Sequence, residues 1–496
     1  MASNTRLIVL LLGAVIGVRV VAMYLVPFID TSEPRYAEIA RLMIETDNWV
    51  TPWFSPGVPF WGKPPLSFWA QAASFRLFGV NEIAGRLPSL MVASATIALA
   101  FAYLRTVRDL ASAQLTAWIL ATSLLAFVGA GAVLTDPFLA LGTTLSMVSF
   151  RLAVLNQSQA WGYGFFLGIV IGLLAKGPLA AVLIVGPILI WLCLSRMHWS
   201  SLRSLPWLRG GLLTALLVLP WYGMAEIRTP GFLQYFIIGE HLLRFLEPGW
   251  QGDLYGSAHL KPFGAIWWNW GVAAFPWSLV LLVALLEAVF RRSTFADIPM
   301  LVRDDEVKYM ASWAVFPMFF FSFAHNILWT YVLPGLPAFA MLSALYIRRR
   351  GWSIKNKGVV VAGALVPLIC LVLTGVVSDW PDRVKSERSL IRYAQSRGAG
   401  TDARLIYVDA MPFSARFYSA GKAEQVALRD LFAILASSDQ PVNVAVPKLV
   451  FKEFTRMIPS GWKLAYENKR YFLVVVSTAD IPESSSRLVH LTARAV

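Results

Sequence analysis

Charged residues and cysteines are both scarce in this chain. Only 15% of its 496 residues are charged and 57% are hydrophobic, whereas soluble domains carry roughly 25% charged residues. The composition therefore argues against an ordinary soluble protein and is typical of one that crosses a membrane many times. The two cysteines, Cys193 and Cys370, lie inside apolar runs without metal-ligand spacing. We interpret both as small buried hydrophobic residues.

Several binding and catalytic motifs are also absent. The chain has no Gly-rich phosphate loop opening a soluble helix, no zinc-protease helix and no CxxC pair, so a nucleotide substrate is not predicted. The net charge of +14 would suit nucleic acid, but no groove-reading motif accompanies it. The basic residues stand instead in short clusters between apolar runs, as in cytoplasmic loops that face anionic lipids. We predict membrane lipids as partners and no nucleic acid.

About eleven apolar runs approach the roughly 20 residues that one membrane-spanning helix needs. They cover residues 7–29, 83–104, 112–130, 137–155, 161–175, 178–195, 210–225, 263–290, 309–324, 327–346 and 358–377. The first run is longer than a signal-peptide core and no cleavage site follows it, so we expect it to remain as a helix. With the N-terminus in the cytoplasm, five basic groups fall on the cytoplasmic side. These are Arg105/Arg108, Arg151, Arg196–Arg209, Arg291/Arg292 and Arg348–Lys357.

The pattern changes near Asp379. Short apolar, strand-like runs follow at Leu405–Val408, Val442–Val446 and Tyr471–Val476, with helical or polar stretches such as Ala423–Ser437 and Lys448–Met457 between them. This alternation predicts a small α/β domain. We therefore expect an all-α membrane domain over residues 1–377, with periplasmic loops at 30–82 and 226–262. A soluble periplasmic α/β domain is expected over residues 378–496.

The stretch from Phe28 to Lys63 carries an unusual group of charges directly after the first apolar run. Ionisable residues at a membrane surface are functional candidates, and Asp30 and Glu33 come first. The alternative for both is helix capping, because Pro34 suits the start of a helix. Arg35, Glu38 and Arg41 follow at three-residue spacing, which allows charge pairs along one helix face.

Other charged residues map to the same side of the membrane. They are Lys63, Asp136, Lys176, His241, Arg244, His259 and Lys261. Carboxylates facing fixed cations suit a phosphate ligand and general-base chemistry. Lys176 stands in a turn between two apolar helices and needs a partner, unless it extends to the lipid headgroups. His259 with Asp253 or His241 would bind a divalent ion; a plain surface histidine is the alternative.

The motifs DTSEPRYAEIARLM, GVPFWGKPPLSFW, FGVNEIAGRLPS, TDPFL, AKGPLA, PGFLQYFIIGEHLLRF, TYVLPGLPAFAML and FSARFYS resemble those of bacterial GT-C glycosyltransferases. The likeness is to the protein O-mannosyltransferase type and most closely to the aminoarabinose transferases that modify lipid A. It covers about residues 7–420. The resemblance implies a sugar donor on undecaprenyl phosphate, inversion at C1, and a multi-pass enzyme of the bacterial inner membrane. Its active site is expected to face the periplasm, with lipid A or lipopolysaccharide core as the acceptor.

The resemblance also implies roles for single residues. Arg35, Lys63 and Lys176 match basic positions near the lipid phosphate, and Arg244 is expected to assist them. Asp30, Glu33 and Asp136 are the catalytic candidates, and His241, His259 and Tyr331 are further substrate-binding candidates. The first acid of the family's acid pair falls on Ser32, so the base stays open between Asp30, which we favour, and Glu33. The acid before the family's Lys-Pro, a position linked to metal binding in the relative, falls on Gly62, which weakens the case for a metal. We expect no required cofactor, with a divalent metal ion as the alternative.

Two alternatives remain at this stage. The same donor chemistry would serve a protein or another polysaccharide as acceptor. A transporter of lipids or sugars would instead carry charges at the membrane midplane and show two related halves. The charges here collect on one side and no internal repeat is evident, which favours an enzyme. The identity of the sugar is not readable from the sequence.

Overall fold

The structure is a computed structural model that describes residues 2–195, 199–256, 259–290, 304–397, 404–438, 440–458 and 460–477. It divides into two compact units. The membrane unit comprises Met1–Met23 and Leu42–Val372, and the α/β unit comprises Tyr24–Arg41 and Leu373–Val496. The predicted domain boundary follows residue 377, whereas the two units divide between Val372 and Leu373. Tyr24–Arg41, predicted within the membrane domain, group with the C-terminal residues.

Helices make up nearly all of the membrane unit. Three of them also include residues of the α/β unit, namely Ala2–Leu25, Ser32–Glu45 and Lys357–Asp379. A short hairpin of strands follows the second helix. The elements are α1 (Ala2–Leu25), α2 (Ser32–Glu45), β1 (Trp53–Ser55), β2 (Val58–Pro59), α3 (Leu66–Phe78), α4 (Glu82–Val107), α5 (Leu110–Thr122), α6 (Leu124–Ala130), α7 (Asp136–Asn156), α8 (Gln159–Lys176), α9 (Leu179–Leu194), α10 (Trp207–Arg228), a π-helix (Gln234–Leu243), α11 (Ala265–Ala273), α12 (Ser278–Phe290), α13 (Asp305–Ser322), a 3₁₀ turn (Trp329–Gly335), α14 (Leu336–Arg349) and α15 (Lys357–Asp379).

Each of the eleven predicted apolar runs contains a helix. Within the described residues, seven helices are long and apolar enough to cross a membrane, or up to nine if the bent pairs α5/α6 and α11/α12 each form one span. Of the remaining runs, α9 has only 16 residues, and α13 begins with three charged residues among its first four. The predicted class of a polytopic helical membrane protein is confirmed.

Glycines let α7 and α8 pack with their backbones in contact. A Cβ atom at Gly142 would lie 2.7 Å from the backbone nitrogen of Gly172 and 2.8 Å from the carbonyl oxygen of Gly168. Ser146 Oγ also donates a hydrogen bond of 2.9 Å to the carbonyl oxygen of Phe165. Small residues of this kind drive helix association in membranes, where lipid is as apolar as a leucine side chain. This close crossing sets the positions of Asp136 and Lys176 at the two helix ends.

The cysteines and Arg151 of the membrane unit differ from the sequence predictions, and one predicted basic pair is outside the described residues. Cys193 is exposed on α9, and Cys370 is only half-buried, so the prediction of two buried cysteines is wrong for Cys193. An apolar side chain on a membrane helix gains nothing by packing on protein in place of lipid. Arg151, expected among the loop cations, is buried in α7 and pairs with Asp305 at 2.8 Å. Arg291/Arg292 lie outside the described residues.

The α/β unit is built on a mixed five-stranded sheet. Its elements are α16 (Arg388–Arg397), β3 (Leu405–Val408), α17 (Phe413–Tyr418), β4 (Glu424–Val426), α18 (Leu428–Ala436), β5 (Val442–Pro447), α19 (Phe451–Met457), β6 (Trp462–Glu467) and β7 (Tyr471–Val476). The strand order is β4-β3-β5-β7-β6. Strands β4, β3 and β5 are parallel, and β7 pairs antiparallel with β5 and β6. Val444 of β5 lies opposite Ile406 and Val474 in the buried centre of the sheet.

The three predicted strands correspond to β3, β5 and β7, which confirms the α/β class. The two outer strands were missed. Strand β4 falls at the start of Ala423–Ser437, which was expected to be a helical or polar stretch, and its sequence Glu-Gln-Val carries two polar residues. Only the later part of that stretch forms α18.

Residues 24–41 are held in the α/β unit mainly by α17. The Phe28 amide donates a 2.7 Å hydrogen bond to the Tyr418 hydroxyl, and the Phe28 and Phe417 rings meet edge to face with centroids 4.9 Å apart. Arg388 Nη2 donates to the carbonyl oxygen of Leu25 at 3.1 Å. The aromatic side chains of the motif FSARFYS therefore hold the segment that follows α1.

Candidate active site

Glu240 lies at the centre of a largely buried group of charges in the membrane unit. Lys63 Nζ donates to its Oε2 at 3.1 Å, and Arg244 Nη1 donates to its Oε1 at 3.0 Å. Arg244 also pairs with Asp253 at 3.3 Å. We refer to Lys63, Glu240, Arg244 and Asp253 as the Glu240 cluster. The sequence indicated both cations but did not single out Glu240.

The hairpin β1–β2 and Tyr255 position Lys63. The Tyr255 hydroxyl donates to the carbonyl oxygen of Pro59 at 2.7 Å and accepts from the Trp61 amide at 3.0 Å. Lys63 also donates to the carbonyl oxygen of Gly62. A Cβ atom at Gly62 would lie 2.9 Å from the Phe60 ring. A larger residue at position 62 would therefore require the Phe60 ring to move.

Glu240 belongs to the ten-residue π-helix Gln234–Leu243. Segments with i→i+5 bonding are rare and occur mostly at functional sites. Its beginning is held by Glu226, whose carboxylate accepts the amides of Gly231 at 3.0 Å and Leu233 at 2.7 Å. Beyond its end, Asn326 Nδ2 donates to the carbonyl oxygen of Arg244 at 2.7 Å. Both contacts fix the segment that carries the cluster.

The cluster is strongly coupled electrostatically. Burial alone would raise the pKa of Glu240, but the neighbouring Lys63 and Arg244 cations outweigh burial and lower it to about 2. Burial acts to lower the pKa of Arg244, and Glu240 reverses this and raises it. The Glu240 carboxylate and the Arg244 guanidinium are therefore charged at neutral pH.

Lys176 forms an ion pair with Asp136, and its position in the sequence predicted the need for a partner. Its Nζ lies 3.0 Å from Asp136 Oδ1, and both side chains are only 8% exposed, so Lys176 does not extend to the lipid headgroups. Asp136 begins α7 and Lys176 ends α8, so each charge also suits the dipole of its own helix. The Lys176 ammonium lies 5.4 Å from the centre of the Tyr331 ring.

His241 connects the two charged groups. Its Nδ1 lies 2.7 Å from the carbonyl oxygen of Phe236, and its Nε2 lies 2.9 Å from the carbonyl oxygen of Lys176. Burial lowers the pKa of His241 and outweighs the two carbonyls, which favour the protonated ring. Lys63, Lys176 and Arg244, predicted to share one site, are thus linked within the membrane unit.

His259 stands apart from these contacts. Its side chain is exposed, and its carbonyl oxygen accepts the amide of Ile327 at 3.3 Å. Among the described residues, no group of three or more His, Cys, Asp or Glu side chains lies close enough to hold a metal ion. We therefore assign no metal ligands.

In the α/β unit, Asp30 is enclosed by hydrogen bonds. Its Oδ1 accepts the Ser414 amide at 2.9 Å, and its Oδ2 accepts Ser414 Oγ at 2.5 Å and Arg470 Nη2 at 2.6 Å. The Asp30 side chain is 3% exposed. The same Arg470 nitrogen donates to Glu387 Oε1 at 2.8 Å. We refer to Asp30, Glu387, Ser414 and Arg470 as the Asp30 anchor; the last three were not identified from sequence.

Helix α2 carries the other candidates of this unit. Glu33 lies in its first turn and is partly exposed. The Arg35 guanidinium lies 5.8 Å from the centre of the Phe413 ring. Glu38 accepts two hydrogen bonds from Arg41, at 2.7 and 2.8 Å, so the expected pairing at three-residue spacing is present there.

The fold is that of solved GT-C enzymes. The structure of ArnT from Cupriavidus metallidurans bound to undecaprenyl phosphate superposes with a TM-score of 0.77 at 17% identity, over 94% of this chain and 97% of that chain. Its apo state gives a TM-score of 0.76 over 96% and 99%. The architecture defines a multi-pass membrane protein of the GT-C class.

Sequence comparison identifies the family more narrowly. The model of the family "Dolichyl-phosphate-mannose-protein mannosyltransferase" matches residues 3–236. The undecaprenyl phosphate-alpha-4-amino-4-deoxy-L-arabinose arabinosyl transferase of Yersinia pestis (strain Pestoides F) is 30% identical over 396 residues, which are 74% of this chain and 66% of that protein. Its counterpart in Serratia proteamaculans (strain 568) is 30% identical over 360 residues, or 70% and 60%. This chain thus spans about two thirds of the length of these relatives or slightly less. It belongs to the GT-C glycosyltransferases related to the protein mannosyltransferases and the aminoarabinose transferases.

Proposed function

We propose that this protein transfers a sugar from undecaprenyl phosphate to an envelope glycolipid, either lipid A or lipopolysaccharide core. The reaction takes place at the periplasmic face of the bacterial inner membrane. The observation that carries the proposal is the group of three cations that carboxylates hold in the membrane unit, Lys63, Arg244 and Lys176. The undecaprenyl phosphate-linked sugar in the names of the relatives supports the same donor class, and the acceptor class rests on the family resemblance.

The cations serve the leaving group. When the C1–oxygen bond of the donor breaks, its electron pair stays on the phosphate oxygen. Ammonium and guanidinium groups fixed near that oxygen stabilise the new charge without a proton transfer. Lys63 and Arg244 take this role, with Lys176 held ready by Asp136 at 3.0 Å. The role of Arg35 at the lipid phosphate rests on the family resemblance alone.

The acceptor hydroxyl needs a base as its oxygen bonds to C1 from the opposite face. Asp30, favoured from sequence, has both carboxylate oxygens occupied by Ser414 and Arg470. We therefore assign proton acceptance to Glu33, which is partly exposed in the first turn of α2. Asp30 then has a positioning role. No covalent intermediate is needed, unlike in a retaining glycosidase.

The test is direct transfer by the purified protein. It is incubated with a panel of undecaprenyl-phosphate sugars and lipid A, and the products are read by mass spectrometry. A mass gain on lipid A with one donor is the expected result, and the gain identifies the sugar. Absence of transfer from every donor, in protein that retains its thermal stability, would contradict the proposal.

A second acceptor class has specific support. The family model that matches residues 3–236 describes protein mannosyltransferases. A serine- and threonine-containing peptide is therefore included in the same assay. Mass gain on the peptide alone would keep the donor chemistry and replace the acceptor.

A further inference from the structure

Every cation of the Glu240 cluster is already paired with a carboxylate. Lys63 binds Glu240, and Arg244 binds both Glu240 and Asp253. Two positive and two negative charges cancel in this group. A donor phosphate that binds to Lys63 and Arg244 must therefore displace a carboxylate, or else bind to cations whose charge Glu240 and Asp253 already balance.

We propose that the Glu240 carboxylate occupies the position of the lipid phosphate between Lys63 and Arg244, and that substrate and side chain compete for these cations. The proposal rests on the proposed function, because that function assigns the two cations to the phosphate. Glu240 then has a definite effect on turnover. By returning to Lys63 and Arg244 after transfer, it helps to expel the product, undecaprenyl phosphate.

The geometry supports an exchange of one anion for another. One carboxylate oxygen contacts Lys63 and the other contacts Arg244, at 3.1 and 3.0 Å. Carboxylate and phosphate oxygens use the same ammonium and guanidinium donors. The Glu240 side chain is 6% exposed, and Tyr235 offers it only a distant hydroxyl contact at 3.4 Å. Its strong interactions are thus with the two phosphate-binding candidates.

The secondary structure provides a way for Glu240 to move. A π-helical turn holds one residue more than an α-helical turn. Conversion of such a turn to α-helical bonding moves the following residues by one position, which is about 100° around the axis. Glu240 lies inside the π-helix Gln234–Leu243. A change of helical register therefore moves its carboxylate relative to Lys63 without unfolding of the segment.

The test is the affinity of the full chain for undecaprenyl phosphate. Glu240→Gln keeps the shape of the side chain and removes its charge, so binding is expected to tighten about tenfold. KM for the donor and kcat are expected to fall together, because product release slows. Glu247→Gln is the matched control. Glu247 is exposed on the same segment and forms no ion pair within the described residues, so its change should leave the affinity unaltered.

A permanent counter-ion role predicts the opposite result. If Glu240 only holds Lys63 and Arg244 in place, Glu240→Gln will weaken binding, and the competition proposal is overturned. Unchanged binding overturns it as well. Lys63→Ala separates the two proposals. If this variant binds less tightly while Glu240→Gln binds no better, the proposed function stands and the competition does not. If Lys63→Ala binds as well as the wild type, the proposed function itself fails.

A measurement on the unaltered protein covers the case in which Glu240→Gln does not fold. Carbodiimide labelling of carboxylates is read by mass spectrometry with and without undecaprenyl phosphate. Displacement from the cations predicts that Glu240 is labelled more when the lipid phosphate is bound. Labelling that stays equal or falls contradicts displacement, and Glu247 reports any general change in accessibility.

Discussion

Arg470 donates a 2.6 Å hydrogen bond to Asp30, although 440 positions separate the two residues in the chain. The same guanidinium group binds Glu387, which is fully buried. One cation therefore serves two carboxylates inside the α/β unit. Through this contact the residue that precedes strand β7 holds Asp30, which lies two positions before the start of α2.

Arg470→Ala is expected to destabilise the α/β unit by about 3 kcal/mol. The change leaves Glu387 buried without its cation, and breaking one side of a buried ion pair is costly. The measurement is hydrogen exchange of the sheet residues in the full chain. Arg404→Ala is the matched control: its pair with Glu424 is 42% exposed on both sides, and we expect a cost below about 1 kcal/mol. Equal effects of the two changes would contradict a special role for Arg470.

Glu33→Gln and Asp30→Asn separate the two candidate bases. We expect Glu33→Gln to lower kcat by about 100-fold or more, which is typical of a lost general base, in protein that still folds. Asp30→Asn places an amide NH₂ group opposite donors of Ser414 and Arg470. Its main effect is therefore expected on the stability of the α/β unit, with a smaller loss of kcat. The reverse order of the two kcat losses would return the base to Asp30.

In the α/β unit, the sequence predicted the strands that are mostly buried. Strand β5 is almost entirely buried and is apolar except for Asn443, as is typical of an inner strand. The outer strand β6 has three exposed residues among six, and β4 has only three residues. Edge strands such as these are defined by backbone pairing with residues distant in the chain, and their own hydrophobic pattern is weak. Both were consequently missed.

The site was predictable to the extent that charges interrupt apolar runs. Lys176 and Asp136 were found because each stands at the end of a membrane helix, where a charge needs a partner. Glu240 was overlooked because Glu240 and Arg244, four residues apart, look like an ordinary pair on an exposed helix. No local signal marks Arg470, whose partner Asp30 belongs to the other end of the chain.

Lys176→Met is expected to destabilise the membrane unit by about 3–5 kcal/mol, because it leaves Asp136 buried without a counter-ion. The double change Lys176→Met with Asp136→Asn removes the charge that remains and should recover most of this loss. Thermal unfolding in detergent measures both. Arg76→Met is the control, since Arg76 lies 3.8 Å from Asp47 with both side chains largely exposed. No recovery in the double variant would show that the ion pair is not the source of the loss.

His241 predicts how the stability of the membrane unit depends on pH. Burial lowers the pKa of His241 in the folded protein, and Lys63 lowers it further. The carbonyl oxygens of Phe236 and Lys176 and the Glu240 carboxylate raise it, but they do not outweigh burial. In the unfolded chain the pKa is about 6.5. As the pH falls below that value, the unfolded chain takes up the proton first, so the folded state loses stability until its own lower pKa is reached. Above about pH 6.5 His241 is neutral in both states, so it causes no loss of stability there. His241→Gln cannot titrate, so its unfolding temperature should fall less than that of the wild type between neutral pH and pH 5. Parallel curves would show that His241 does not change its protonation on unfolding.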